Sequence, residues 1–251
     1  LLAITALSAA LFFGQTAAAE EKAAEEVKPS HVEMVLVLDE SGSMSNLTND
    51  TIGGFNSMIE KEKKLDVDAH VTTVLFNDQY KMLYNRRELK DVSKMTDKDY
   101  TPGGMTALLD AVGRTIHKMD MVAGIHRKDK GNKVLFVIIT DGEENDSKEY
   151  TYADVKKLIK DRQENAGWEF IFLGANIDAA AAAENLGIDR DRAVKYKNTG
   201  SGVRANFKAV AELSDSLAKS GRVSDEWKET VEKDEDDAAD KQSAAVTLHR
   251  R

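Results

Sequence analysis

A chain of 251 residues suits one large α/β domain or two small ones and is long enough to bury a sizeable core. With 41% hydrophobic and 31% charged residues it has the composition of a soluble globular protein, and its net charge of −9 disfavours nucleic acid and anionic membrane surfaces as partners. The absence of cysteine rules out disulfides, thiolate metal sites and cysteine nucleophiles, so chemistry must rest on oxygen and imidazole donors.

In chain order, the first feature is an apolar block, Leu1 to Phe13. It is too short to cross a bilayer comfortably and has the length of a signal-peptide hydrophobic region. Ala17, Ala18 and Ala19 offer an Ala-x-Ala cleavage site. Residues 1–19 therefore read as a signal peptide, which implies an exported, periplasmic or extracellular protein with no stable membrane anchor after cleavage. Residues 20–31 read as a polar leader, 32–219 as one domain, and 220–251 as an acidic, flexible tail.

Within 32–219, strand-like and helix-like segments alternate. Residues 33–39 form a continuous apolar run, the pattern of a strand covered on both faces. Ile52, Phe55 and Ile59 share one helical face over 48–63. Residues 69–76 and 80–85 read as two strands, with Asn77, Asp78 and Gln79 as a hairpin turn. Leu108, Ala111, Val112, Ile116 and Met119 keep helical spacing, and 133–141 is the most apolar strand. Helix 151–163, strand 168–176, a helix from Asp178 to Asn185, strand 193–197 and helix 202–219 complete the series. This order predicts an α/β fold: a doubly wound, mostly parallel sheet with one antiparallel edge strand and helices on both faces.

Open sheets of this kind bind ligands at the carboxyl ends of their strands. Three polar clusters fall there: Asp39, Ser41 and Ser43 after the first strand; Thr106 in a loop containing Gly103 and Gly104; and Asp141 after the most apolar strand. All are hard oxygen donors, the set that Mg²⁺ takes in octahedral coordination at about 2.1 Å. Asp39, Ser41 and Ser43 alternate, so a slight curl of an extended chain would turn all three to one ion. Gly42 is expected to permit that curl.

Asp-x-Ser-x-Ser, a Thr in a Gly-rich loop, and Thr-Asp-Gly after a buried strand resemble the von Willebrand factor type A (VWA) domain over roughly residues 31–219. In that family these pieces form the metal-ion-dependent adhesion site, on a Rossmann-like fold. The resemblance implies Mg²⁺ or Mn²⁺, direct contacts from the hydroxyls of Ser41, Ser43 and Thr106, and support from Asp39 and Asp141 through water or hydrogen bonds. It also implies a protein partner whose carboxylate completes the coordination, and adhesion or complex assembly rather than catalysis. The later part of the chain resembles bacterial members.

Simpler readings compete. Asp39 to Ser43 could be only a turn, and Thr106 only a helix cap. Glu143, Glu144 and Asp146 read as a solvated acidic rim. An EF-hand is unsupported, because Asp146 stands where that loop needs glycine and Tyr152 where it needs Glu. The histidines, His31, His70, His117, His126 and His249, make no short-spaced pair, so no zinc site is expected. The alternative function is a metal-dependent phosphoryl-transfer enzyme using Asp39. Ser41 argues against it, standing where such phosphatases place a second Asp as acid/base.

Overall fold

The computed structural model describes residues 31–122, 132–224 and 226–233. The expected signal peptide, nearly all of the polar leader and the acidic run after 233 lie outside them.

Strand β1 (His31–Asp39) is central. Its side chains alternate between two cores. Val32, Met34, Leu36 and Leu38 join one cluster with Phe55 and Phe207, while Val35 and Val37 join another with Val112 and Phe136. This two-sided burial is why the strand reads as an unbroken apolar run. The remaining strands are β2 (Ala69–Phe76), β3 (Tyr80–Glu88), β4 (Asn132–Thr140), β5 (Glu169–Gly174) and β6 (Ala193–Lys195). They lie in the order β3-β2-β1-β4-β5-β6. Every pairing is parallel except β2 with β3 at the edge.

Helices α1 (Thr48–Lys64) and α5 (Gly200–Ser220) cover one face, and α2 (Leu108–Asp120), α3 (Tyr152–Asp161) and α4 (Ala179–Leu186) the other. The fold is therefore α/β and Rossmann-like, as the alternation predicts. Chain progression reverses between β1 and β4. The carboxyl ends of these two strands form the switch point where such sheets hold ligands.

Two differences from the sequence reading have clear causes. Helix α3 ends in a π turn, Arg162–Ala166, closed by Gly167 at φ 69°, rather than running on to residue 163 as α-helix. The packed domain also continues past residue 219. Residues 227–233 are helical, and Trp227 and Val231 are buried in the α1/α5 core. Two isolated apolar residues among acids carry too little periodicity to announce this.

The α1–α5 interface also encloses polar groups. Glu62 is fully buried, and neither of its carboxyl oxygens nor the Ser214 hydroxyl makes a hydrogen bond among the described residues. Burial pushes the Glu62 carboxyl up to about 7, with the Lys61 charge opposing it.

Candidate functional site

All five sequence-selected residues border the switch point. Asp39 ends β1, Thr106 lies two residues before α2, and Asp141 follows β4. Asp39, Ser41, Thr106 and Asp141 are buried, and Ser43 is exposed.

The first segment does not stay extended. Ser41 has φ −70° and ψ 170°, and a 3-10 turn begins at Gly42 (Gly42–Leu47). That turn brings the Ser43 hydroxyl to 3.1 Å from the Ser41 hydroxyl. Ser43 also donates to Asp141 Oδ1 at 2.5 Å. Gly42 ties this turn to the Thr106 loop through its backbone and has no unusual dihedral. Its N–H donates to the Gly104 carbonyl at 3.2 Å, and an added Cβ would make only an ordinary contact, 3.5 Å, with that oxygen.

Asp39 is held at both oxygens. Oδ1 accepts the Ser41 N–H at 2.7 Å, and Oδ2 accepts the Thr140 hydroxyl at 2.6 Å. Burial raises its carboxyl above the ordinary range; the Thr140 and Ser41 hydrogen bonds oppose this, and the nearby Asp141 charge adds to it. Among the described residues, no Lys, Arg or His forms an ion pair with Asp39 or Asp141. Asn198 donates to Asp141 Oδ2 at 3.3 Å. The buried Tyr196 hydroxyl feels both acids and makes no hydrogen bond among the described residues.

The Thr106 loop is tied down by its backbone. Gly103 N–H donates to the Glu40 carbonyl at 2.9 Å, and Thr106 N–H to Asn145 Oδ1 at 2.9 Å. Gly104 has φ 77°, and a Cβ there would meet Asp78 Oδ1 at 1.9 Å. A left-handed backbone and a blocked Cβ act together at this position. Gly104→Ala is therefore expected to cost about 1–3 kcal/mol and to displace the Thr106 hydroxyl. Chemical denaturation and Mg²⁺ titration of the variant check both effects.

Thr106 does not cap α2. The helix begins after Ala107, and its free amides are taken by Glu144, which accepts from Leu109 at 2.9 Å, and by Ser147, which accepts from Asp110 at 3.0 Å. Glu144 also accepts the N–H groups of Asp146 and Ser147. It is thus a structural cap rather than a member of a solvated rim. Thr106 is left with its hydroxyl free of partners among the described residues. Met44 packs beneath the site, 2% exposed.

A divalent ion fits this donor set. A Cβ added to Gly142 would stand 3.9 Å from both the Ser43 and the Thr106 hydroxyl oxygens, so a glycine there keeps clear the space that both border. Hydroxyls from two loops meet buried acids that lack a cationic neighbour, the arrangement a hard cation would neutralise. Sequence reasoning missed Thr140, Glu40, Asn145 and Asn198. The first two sit beside selected acids and could have been suspected from adjacency. Asn145 and Asn198 reach the site only through the fold.

Reasoning from histidine spacing missed a second cluster altogether. His31 and His70, far apart in sequence, begin neighbouring parallel strands, and their ring nitrogens stand 2.8 Å apart.

A family model described as vWA-TerF-like, the vWA found in the TerF C terminus, matches residues 31–192. No curated protein matches the sequence. Among solved structures, the chain is similar to the pilus adhesin SpaC from Lactobacillus rhamnosus GG in its open conformation, at 14% identity and TM-score 0.58 over 77% of this chain and 31% of that one. It is similar to the vWF domain of the type V pili tip protein Mfa5 from Porphyromonas gingivalis, at 12% identity and TM-score 0.53 over 78% and 99%. A von Willebrand factor type A protein from Catenulispora acidiphila aligns at 15% identity and TM-score 0.50 over 74% and 43%. The chain thus spans under half of the first and last of these proteins, and at such identities the likeness concerns the fold alone.

Proposed function

The chain belongs to the vWA-TerF-like family, and from that premise we propose that it is a divalent-metal-dependent protein-binding module, used in adhesion or complex assembly. Ser41, Ser43 and Thr106 would hold Mg²⁺ or Mn²⁺ by their hydroxyls, with Asp39 and Asp141 supplying negative charge behind them. When bound, the ion supplies an electrophilic point that a carboxylate of a partner protein can ligate.

The observation that carries this reading is the pair of buried acids without a cationic partner among the described residues, beneath hydroxyls from two loops. The residues around them serve positioning. Thr140 and the Ser41 amide fix the Asp39 carboxylate, and Tyr100 donates to the Asp39 carbonyl at 2.6 Å. Exposed Met105 and Tyr152 flank the site, and a groove lined by Leu108, Gly142, Glu143, Tyr152 and Ile177 opens beside it. Exposed large side chains of this type are common anchors at protein interfaces.

Phosphoryl transfer through Asp39 has no observation in its favour. The carboxylate is 1% exposed and both its oxygens are engaged, so it cannot approach a phosphorus atom. An exported location, periplasmic or extracellular, accords with the apolar N-terminal block. Two structures that share the fold are by name a pilus adhesin and a pilus tip protein, which accords with the same location. Among the described residues, no helix is long and apolar enough to cross a membrane.

Affinity capture on the immobilised protein tests the proposal. Partner retention is expected in Mg²⁺, with release by EDTA and loss in Ser43→Ala. Retention indifferent to both EDTA and Ser43→Ala would contradict it.

A further inference from the structure

The opposite end of the sheet holds a second set of ligand atoms. His31 and Glu33 lie on β1 and His70 on β2, with Glu33 directly paired to His70 in the strand register. Because side chains two apart on a strand share a face, His31 and Glu33 point the same way, and the parallel neighbour adds His70 opposite Glu33. The cluster is eight residues along β1 from Asp39, roughly 26 Å away, and shares no residue with the hydroxyl site.

We propose that His31 Nε2, His70 Nδ1 and Glu33 Oε1 form a zinc site that clamps the amino-terminal ends of β1 and β2. His31 Nε2 and His70 Nδ1 each lie 3.3 Å from Glu33 Oε1, and 2.8 Å from each other. A tetrahedral zinc with bonds of about 2.0–2.2 Å needs ligand atoms about 3.3–3.6 Å apart. Two of the three edges already meet this, and the third needs to open by about 0.5 Å. Two imidazoles and a carboxylate are a donor set that zinc takes readily, with a fourth position left for water.

The surroundings also suit a bound metal. His31 Nδ1 is 2.9 Å from Asp68 Oδ1. A carboxylate on the far ring nitrogen fixes the tautomer and leaves Nε2 free to ligate, the usual support of a metal-bound histidine. An open depression bordered by His31, Asp68, His70, Glu88 and Lys90 gives solvent access.

Arg86 is the competitor. It stands at φ 46° on β3, next to the irregular part of the β2–β3 pairing, and its guanidinium grips both Glu33 oxygens. The Nη2 that contacts Oε1 also lies 3.3 Å from His70 Nδ1, in the region a metal would take. With zinc bound, Arg86 keeps its 3.0 Å contact from Nε to Glu33 Oε2 and releases Oε1. Thus Arg86 holds the carboxylate in either state and weakens metal binding by competing for one oxygen.

Titration of the full chain with CoCl₂ in excess MgCl₂ tests this, the Mg²⁺ serving to saturate the hydroxyl site. One equivalent of Co²⁺ is expected to give the intense visible absorption of a tetrahedral centre, displaced by ZnCl₂, and zinc is expected to raise the melting temperature by several degrees. His31→Gln and His70→Gln should abolish both signals. Asp68→Asn should weaken binding roughly ten- to hundredfold. Arg86→Gln should strengthen it. Circular dichroism in EDTA establishes that each variant is folded. Absence of the absorption in wild type, or its persistence in the folded double variant His31→Gln/His70→Gln, would overturn the site; unchanged or weaker binding in Arg86→Gln would overturn the competition.

Discussion

Asp39→Asn is expected to melt no lower than wild type in EDTA and to lose the stabilisation by Mg²⁺ entirely. The two halves of this result have one cause. Without a cation, burial and the Asp141 charge make an ionised Asp39 unfavourable, which is why its carboxyl is raised. A raised folded value means that stability is greatest below the ordinary carboxylate range and is lost as pH rises through the folded value. Asparagine removes that loss while keeping an oxygen for the Ser41 amide and a group for Thr140. With Mg²⁺ at about a hundredfold its dissociation constant, wild type should gain about 2.7 kcal/mol, or roughly 5–10 °C in a chain of this size. Thermal melts of both proteins at pH 7.5, with EDTA and with MgCl₂, read the crossing directly. A variant that melts well below wild type in EDTA would assign Asp39 a purely structural part.

The second large effect lies far from the site. Glu62 is a fully buried acid with no hydrogen bond among the described residues, held at about 7 against an ordinary 4.5. Between these values the folded chain binds more protons than the unfolded one. Its contribution to stability is therefore complete below 4.5 and is lost as pH rises toward and through 7. The difference amounts to about 3 kcal/mol. Glu62→Gln is expected to be near neutral at pH 4.5 and more stable than wild type by about 2–3 kcal/mol at pH 8. Urea melts at the two pH values measure it. A difference between the proteins that does not change with pH would show that Glu62 does not titrate as a buried acid. Thr51, Asn206 and Ser214 join it as buried polar side chains on α1 and α5 with groups left unsatisfied among the described residues.

The fold was legible because burial on both faces makes β1 and β4 unmistakable as strands, and because the helices between them keep apolar spacing. The edge hairpin was legible in Asn77 to Gln79, where Gln79 N–H closes on Asn77 Oδ1 at 2.7 Å. The candidate site was legible as a list of oxygen donors at strand ends, since its selected members all lie close to glycines or strand termini. Its supports were not. Glu144 looks like any acid in an exposed loop until the amide ends of α2 arrive beside it. Ser43 reaches Ser41 through a 3-10 turn rather than through strand alternation, and a Ser-Gly-Ser stretch accommodates either geometry. The His31–His70 pair was invisible to spacing because parallel register, not separation along the chain, brings the rings together. Trp227 escaped for a related reason: one aromatic among charged neighbours gives no period, yet it is 2% exposed in the core.

Crystals of the full chain grown with MnCl₂, examined by anomalous diffraction at the manganese edge, would show whether a divalent ion sits among the hydroxyls of the candidate site. An anomalous peak is expected within coordination distance of the Ser41, Ser43 and Thr106 hydroxyls, with Asp39 and Asp141 behind them, and that peak is lost in Ser43→Ala. A wild-type map with manganese elsewhere and no peak among these hydroxyls would contradict it.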